Sequence, residues 1–251
     1  MMHLWPLRRT MLALLLTLLA TSAKAAEVKV AVAANFTEPV KEIAALFEKT
    51  TGHRLILSFG ATGAFYAQIS QGAPFEVFLT ADKATPAKAV TEGHAVAGTA
   101  FTYAVGKLVL YSKTPGLTLG EGTLKDAKFA KIALANPATA PYGAAAVEVM
   151  KALGVHETLQ PRIVQGTNIA QTFQFIDTAN AEVGFVALAQ VAFVEGGSRW
   201  IVPGNLHAPV FQDAVLLKTG ADNATAREFL TYLKGAEARK VIEKFGYGIG
   251  D

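Results

Sequence analysis

Segments with strand-like and helix-like patterns alternate along most of this chain, and this alternation limits the fold more than any other feature. The apolar run 28–33 precedes a helical pattern over 38–49, and the runs 55–59 and 75–79 are each followed by another helical pattern. Chains built in this way form parallel sheets that carry helices on both faces. The sequence therefore predicts an α/β fold.

Two long extended segments, 101–111 and 209–217, interrupt the alternation and flank a central block in which it resumes. This arrangement predicts that the chain crosses twice between two lobes through a two-stranded hinge. We expect residues 26–104 and 212–251 to form lobe 1 and residues 105–211 to form lobe 2, with a ligand-binding cleft between them. The alternative is a single sheet with long edge strands.

Residues 1–25 have the pattern of a secretory signal peptide. Arg8 and Arg9 precede a short apolar segment, and the segment 22–25 ends in an Ala-x-Ala cleavage site. The apolar segment is too short to span a bilayer comfortably. We therefore expect export and cleavage after Ala25.

The mature chain is expected to have no net charge. The full sequence has 23 Lys and Arg against 20 Asp and Glu, and residues 1–25 carry three of the basic residues and no acidic one. This balance removes the main electrostatic argument for nucleic acid or an anionic membrane as a partner. Because the chain has no cysteine, thiol catalysis, zinc–thiolate sites and iron–sulfur clusters are excluded.

Four predicted helices begin directly after a strand. Asn35 and Thr62 are the predicted N-caps of the first two, the second of which starts at Gly63, and the segments 136–143 and 166–169 lead into the other two. At such points free backbone N–H groups and the positive end of the helix dipole bind an anion without a cationic side chain. Open α/β sheets bind ligands beyond the carboxyl ends of their strands, which favours one shared anion site. The alternative is that all four are ordinary helix caps.

The sequence offers little support for catalysis. It contains none of the motifs Gly-x-x-x-x-Gly-Lys-Ser/Thr, His-Glu-x-x-His and Gly-x-Ser-x-Gly. Asp82 follows a strand and has no evident partner, so we interpret it as a cap of the next helix. An exported hydrolase that pairs Asp82 with a histidine across the cleft stays as the alternative from another functional class.

Three segments together resemble the periplasmic molybdate-binding proteins of ABC transporters. They are Ala33-Ala34-Asn35-Phe36-Thr37, Ser58-Phe59-Gly60-Ala61-Thr62-Gly63 and Gly72-Ala73-Pro74-Phe75-Glu76-Val77-Phe78-Leu79-Thr80-Ala81-Asp82, and the ending with 232–235 and 244–247 is similar as well. The resemblance spans essentially the whole mature chain. It implies a two-lobed type II periplasmic binding protein fold, each lobe a mostly parallel sheet flanked by helices.

The same resemblance implies which residues bind the ligand. In that family, molybdate or tungstate is held between the lobes by hydroxyl or amide side chains and backbone N–H groups, without charged residues. The implied positions are Asn35 with its side chain and amide, Thr62 with its hydroxyl, Tyr142 and Ile169 with their backbone N–H groups, and Ala34 and Ala187 as secondary candidates. Some relatives contribute a tyrosine hydroxyl where this chain has Ala187. Either the Tyr142 hydroxyl supplies that donor or the donor is absent.

The resemblance finally implies a function. We expect a monomeric periplasmic receptor that captures molybdate, and tungstate too, and delivers it to an inner-membrane ABC permease, with no cofactor and no catalytic activity. The alternative within the same class is a receptor for another oxyanion, such as sulfate or phosphate, or for a chelated metal.

Overall fold

Two β-sheets, each flanked by helices, form the framework of the protein. The computed structural model describes residues 25–250, so residues 1–24 of the predicted signal peptide lie outside the described residues. Within residues 25–250, no helix is both long enough and apolar enough to cross a membrane.

The first sheet has six strands. In spatial order they are β11 (Gly248–Ile249), β4 (Phe101–Gly106), β10 (Val210–Leu216), β3 (Val77–Leu79), β1 (Glu27–Ala33) and β2 (Arg54–Gly60). β1 runs parallel to β2 and β3, as the strand–helix alternation predicts. β10 runs antiparallel to β3 and β4, and β11 runs antiparallel to β4.

The second sheet has five strands. In spatial order they are β7 (Ile163–Gly166), β6 (Ile132–Ala135), β8 (Val183–Ala187), β5 (Leu108–Ser112) and β9 (Ser198–Ile201). β6 is parallel to β7 and β8, whereas β5 is antiparallel to β8 and β9.

Both sheets are therefore mixed, and the expectation of mostly parallel sheets is corrected. Parallel neighbours need a crossover connection, which the strand–helix units supply. The long extended segments lie outside those units, and the strands that they contain, β4, β5 and β10, pair antiparallel with their neighbours. The two-lobed α/β fold class is confirmed.

The extended segment 101–111 is divided between the two sheets. β4 ends at Gly106 in the first sheet, and β5 begins at Leu108 in the second, so the chain changes sheets at Lys107. It returns to the first sheet between Ile201 and Val210. The two points at which the chain changes sheets lie within a few residues of the predicted lobe boundaries. The boundaries themselves stay a prediction.

Helices cover both sheets. Among residues 25–250 they are α1 (Thr37–Thr51), α2 (Thr62–Ser70), α3 (Ala84–Thr91), α4 (Glu121–Asp126), α5 (Pro141–Ala152), α6 (His156–Leu159), α7 (Ile169–Asp177), α8 (Leu188–Val191), α9 (Ala224–Leu233) and α10 (Ala236–Lys244), with 3₁₀ turns at Ala34–Phe36, Gln160–Arg162 and Lys218–Gly220.

The first helix illustrates how the sequence pattern becomes packing. Val40, Ile43 and Phe47 recur at helical spacing on α1 and are fully buried against the first sheet. Burial of such side chains stabilises by about 1.5–3 kcal/mol each. The helix ends at Gly52, whose φ of +74° lies in the left-handed region that a helix terminus favours and only glycine adopts freely. Packing thus holds α1, and with it the turn that precedes it, against the end of β1.

Candidate functional site

Segments that follow strands of both sheets meet at one small cavity. Its volume is about 10 Å³, roughly the room that one water molecule occupies. Five of the six predicted positions line it, namely Ala34, Asn35, Thr62, Tyr142 and Ile169. Each of these five residues is at most 5% exposed. None of the residues that line the cavity carries a charged side chain.

The Asn35 side chain lies in a hydrogen-bond network within the first lobe. Its Nδ2 donates to Gln212 Oε1 at 2.6 Å and to Tyr247 Oη at 3.0 Å. The Tyr247 hydroxyl donates back to the Asn35 carbonyl at 2.8 Å, and Gln212 Nε2 donates to the Val210 carbonyl at 3.0 Å. Both hydrogens of the Asn35 amide are therefore taken by buried protein acceptors.

Asn35 is consequently not the N-cap that its sequence context predicts. The segment Ala34–Phe36 forms a 3₁₀ turn, α1 begins at Thr37, and no side chain caps either element. The prediction is wrong because partners 177 and 212 residues away in sequence take the amide instead. No local motif marks Gln212, whereas Tyr247 belongs to the closing segment 244–247 that carries part of the family resemblance.

Thr62 is the first residue of α2 rather than its N-cap. Ala61, with an extended backbone, occupies the capping position, so the predicted start at Gly63 is one residue late. Thr62 Oγ1 accepts a hydrogen bond from the Ala81 N–H at 3.0 Å. A hydroxyl that accepts in this way still has its own proton to donate. The arrangement leaves that proton available on the wall of the cavity.

Tyr142 is the second residue of α5, which begins at Pro141, three residues before the start at Ala144 that the sequence predicts. Pro141 occupies the first helical position, where its missing N–H costs nothing. Gly143 lets α5 begin close to the end of β6, because a Cβ at this position would collide with the Ala135 carbonyl. This close approach places the Tyr142 backbone at the cavity.

The Tyr142 hydroxyl lies at the hinge. A side chain at Gly106, the last residue of β4, would collide with it, and neither Gly106 nor the neighbouring Gln212 lines the cavity. Within residues 25–250 the hydroxyl is buried and has no hydrogen bond of good geometry, although the Tyr247 hydroxyl lies close to it. Burial, with the nearby Tyr247 and Tyr103 hydroxyls, raises the pKa of Tyr142 well above its ordinary value, so the group stays neutral.

Ile169 begins α7, as the sequence predicts. Asn168 is the N-cap, and its Oδ1 accepts from the Ala170 N–H at 2.9 Å and the Gln171 N–H at 3.1 Å. These bonds use the N–H groups that follow Ile169 and leave that of Ile169 itself. The sequence signal here was an asparagine directly before the helical pattern.

Four backbone N–H groups at the cavity share one property. Among residues 25–250 they donate to no carbonyl in a turn, a loop or a helix cap. The four groups are the backbone N–H groups of Asn35, Thr62, Tyr142 and Ile169. Because each residue is the first or second of its helical turn, it has no acceptor inside the helix either. Buried N–H groups without partners are rare in folded proteins. Converging on one neutral cavity at helix starts, they form a cradle suited to an anion.

Ala187 is the predicted position that the structure places elsewhere. It is fully buried at the end of β8 and does not line the cavity. Its N–H donates to Gln190 Oε1 at 2.9 Å. Its methyl group has no donor to offer.

Asp82 makes the local contacts of a helix cap. Its carboxylate accepts from the Thr85 N–H at 2.6 Å and from the Thr85 hydroxyl at 3.0 Å, at the start of α3. It does not line the cavity. Lys83 occupies the N-cap position of α3, so Asp82 bonds the first turn of the helix from the residue before the cap, which supports its interpretation as a structural residue.

A larger groove of about 600 Å³ lies on the second lobe. Ser112, Glu182 and Phe129 are among the residues that line it. Ser112 and Glu182 lie at the end of the second sheet that is opposite the small cavity. β8 starts directly after Glu182 at that end and runs toward the cavity side, where it ends at Ala187. The groove is thus separate from the converging N–H groups.

Two lobes that enclose a neutral, donor-lined cavity between them define a binding protein for a small solute. Consistent with this class, a family model described as bacterial extracellular solute-binding protein matches residues 28–248. The solved structure of the Azotobacter vinelandii periplasmic molybdate-binding protein matches with a TM-score of 0.86 and 40% identity, covering 89% of this chain and 100% of that one.

Two relatives are similar over almost their whole length. The molybdate-binding protein ModA of Rhodobacter capsulatus is 56% identical over 229 residues, covering 91% of each chain. The molybdate-binding protein ModA of Azotobacter vinelandii is 56% identical over 247 residues, covering 97% of this chain and 98% of that relative. The chain therefore belongs to the bacterial extracellular solute-binding proteins and, within them, to the family of the molybdate-binding proteins ModA. The predicted resemblance is confirmed.

Proposed function

We propose that this protein is a periplasmic receptor that binds one molybdate dianion in the small cavity between the lobes and passes it to an inner-membrane ABC permease. One observation carries this assignment: four buried residues at the starts of four helical turns, from both lobes, line a single cavity without a charged side chain, and their N–H groups have no acceptor among residues 25–250. The names of the two relatives at 56% identity support molybdate as the solute.

In this proposal the backbone supplies most of the donors. The N–H groups of Asn35, Thr62, Tyr142 and Ile169 bind the anion, and the Thr62 hydroxyl adds a donor from a side chain. The side-chain amide of Asn35 holds the turn in place through its hydrogen bonds to Gln212 and Tyr247, and it does not donate to the ligand. Ala34 contributes to the wall.

The two remaining positions supply no side-chain donor. Ala187 adds none, and the Tyr142 hydroxyl does not replace it, because that hydroxyl lies against Gly106 at the hinge.

Neutral donors are sufficient for a dianion. Hydrogen bonds to a charged group stabilise by about 1.5–3 kcal/mol each, and helix dipoles add a favourable field. A donor set without a cation does not neutralise the charge of the ligand. Between oxyanions of equal charge, the shape and size of the anion therefore decide which one binds. Tungstate, with the charge and geometry of molybdate, should bind at the same place.

The small volume of the cavity supports a hinge motion. At about 10 Å³ it is smaller than a five-atom oxyanion needs, so the lobes must part to admit the ligand and close around it. We infer that residues 26–104 with 212–251 move against residues 105–211, about Lys107 and the segment between Ile201 and Val210.

The remaining features follow from the same assignment. The pattern of residues 1–25 supports export to the periplasm and cleavage after Ala25. A carrier of this kind needs neither a cofactor nor catalysis, and it acts as a monomer.

Calorimetry on the mature chain tests the proposal. Molybdate and tungstate should each bind at one site per chain, and sulfate and phosphate should bind far more weakly. Elemental analysis of the purified protein should find molybdenum or tungsten in preference to other metals. Tight binding of sulfate without a response to molybdate would transfer the assignment to another oxyanion, and turnover of phosphate or acyl esters would favour a hydrolase.

A further inference from the structure

Gln190 joins the end of β8 to the turn that carries Ile169. It lies in α8, and its Oε1 accepts from the Ala187 N–H at 2.9 Å. Its Nε2 donates to the Ile169 carbonyl at 2.9 Å. One side-chain amide thus ties a strand end to the first residue of α7.

The contacts around Ile169 hold the residue from both sides. The carbonyl before it, that of Asn168, accepts from the Thr172 N–H at 3.1 Å and the Thr172 hydroxyl at 3.0 Å. The carbonyl of Ile169 itself accepts from Gln190. Thr172 thus fixes the peptide that contains the Ile169 N–H, and Gln190 fixes the next peptide. The two contacts hold the first residue of α7 in place at the cavity that it lines.

The Gln190 side chain also lies beside a cleft that residues of both lobes line. Gln190 lines a cleft of about 280 Å³ together with Asn35 and Ala34 of the first lobe, and this cleft adjoins the small cavity. Packing of α8 rests on its neighbours Ala189 and Val191, which are buried, whereas Gln190 is half-buried. Its contribution at this place therefore comes from its two hydrogen bonds.

We infer that Gln190 is a positioning residue of the oxyanion site, which ties the start of α7, and with it the Ile169 N–H donor, to the end of β8. This inference rests on the proposed function, because it takes the Ile169 N–H as a ligand donor. Gln190 acts through Ile169 and does not bind the anion itself. Loss of its hydrogen bonds removes the tie between β8 and the start of α7 and lets the turn that carries the donor shift away from the anion.

The test compares two glutamine-to-methionine variants of the mature chain. Gln190→Met keeps the length of the side chain and removes both hydrogen bonds. Gln174→Met is the matched control, because Gln174 lines the same cleft and its side chain has no hydrogen bond among residues 25–250. By calorimetry with molybdate, Gln190→Met should bind about tenfold more weakly, as expected for one misaligned bond to a charged group. Gln174→Met should stay within about twofold of the wild type.

A spectroscopic readout separates positioning from general damage. In ¹⁵N-labelled wild type, molybdate should move the Ile169 amide proton strongly downfield, and in Gln190→Met that movement should be smaller while the Thr62 amide responds as before. Equal affinity and an equal Ile169 response in Gln190→Met would overturn the inference, although molybdate binding by the wild type would leave the proposed function intact. A wild type that does not bind molybdate would overturn both.

A wild-type measurement covers the case in which Gln190→Met does not fold. The side-chain amide protons of Gln190 should exchange slowly with solvent, and more slowly once molybdate is bound. Rapid exchange in both states, or an Ile169 amide proton that molybdate does not move, would contradict the inference.

Discussion

The turns that carry Asn35 and Ile169 present the same group to the cavity, a free backbone N–H, but they are held in different ways. The first-lobe turn depends on Gln212 and Tyr247, which lie 177 and 212 residues from Asn35 in sequence. The second-lobe turn is capped by Asn168, the residue directly before it. One asparagine therefore acts as a long-range donor and the other as a local acceptor, which shows that equal donors can rest on tertiary or on local structure.

Replacement of Asn35 and of Asn168 by aspartate should show the difference between the two turns, and the change at Asn35 should have the largest effect of all the variants. Asn35→Asp cannot donate to Gln212 Oε1 and buries an unpaired carboxylate, which should lower the free energy of unfolding by about 3–5 kcal/mol. Its charge beside a dianion should weaken molybdate binding by at least about a thousandfold, since one charge pair at about 4 Å contributes about 4 kcal/mol. Urea unfolding and calorimetry measure the two effects.

The matched change at the second turn should be tolerated. Asn168→Asp keeps both accepted hydrogen bonds, because aspartate caps helices as well as asparagine does. Its free energy of unfolding should stay within about 0.5 kcal/mol of the wild type. Equal losses of stability at the two positions would show that both turns are held in the same way.

A second comparison sets a side-chain donor against a backbone donor. Thr62→Ala removes the hydroxyl that faces the cavity and should weaken molybdate binding about ten- to a hundredfold, the value of one hydrogen bond to a charged group. Ile169→Ala keeps its N–H, so calorimetry should find a much smaller change. Thr62→Ser serves as the control that retains the hydroxyl. If Thr62→Ala binds as tightly as Ile169→Ala, the hydroxyl does not reach the anion.

The strand that anchors the first turn also carries a pH-sensitive group. Asp213 follows Gln212 in β10, and burial raises the pKa of its carboxyl above the usual value, although the Thr102 hydroxyl donates to it and Lys83 lies near. A carboxyl with a raised pKa binds its proton more tightly in the folded state. Its unfavourable effect on stability is therefore complete above the folded pKa and disappears as the pH falls through that pKa to the unfolded value.

Replacement of Asp213 should accordingly stabilise the protein at neutral pH by a small amount. Asp213→Asn keeps an acceptor for Thr102 and removes the buried charge, so its melting temperature should exceed that of the wild type at pH 7. The difference should shrink in acid. A variant that is less stable than the wild type at pH 7 and equal to it in acid would mean that the carboxylate is favourable in the fold.

The smallest effect is expected at the Tyr142 hydroxyl. Because this group lies at the hinge, against Gly106 and without a hydrogen bond of good geometry, Tyr142→Phe should leave molybdate affinity within about twofold of the wild type. Calorimetry measures the ratio, and the stability of the variant should equal or exceed that of the wild type, since an unsatisfied buried hydroxyl is lost. A tenfold loss of affinity would instead place the hydroxyl on the anion.

Several features of the fold and site were predictable because they depend on neighbouring residues. The helical spacing of Val40, Ile43 and Phe47 predicted α1, and the segment 166–169 was predicted to lead into the helix that is α7. The caps assigned to Asn35 and Thr62 were wrong, because each side chain bonds a segment that is distant in sequence. Local spacing cannot distinguish a cap from a small polar residue that bonds elsewhere.

By itself, the sequence determined the order of strands and helices and the places where helices follow strands. These features depend on residues within one or two turns, whose periodicity and caps are visible in the chain. Together with the family resemblance, this was enough to select Ala34, Asn35, Thr62, Tyr142 and Ile169, all of which line one cavity.

Only the tertiary structure decided how the sheets pair and which donors remain free. The antiparallel pairing of β10 with β3 and β4, the bonds of Asn35 to Gln212 and Tyr247, and the position of the Tyr142 hydroxyl against Gly106 all join distant parts of the chain. Such contacts form when packing excludes water and each buried polar group must find a partner. That requirement acts on the folded chain as a whole, so no local pattern encodes it.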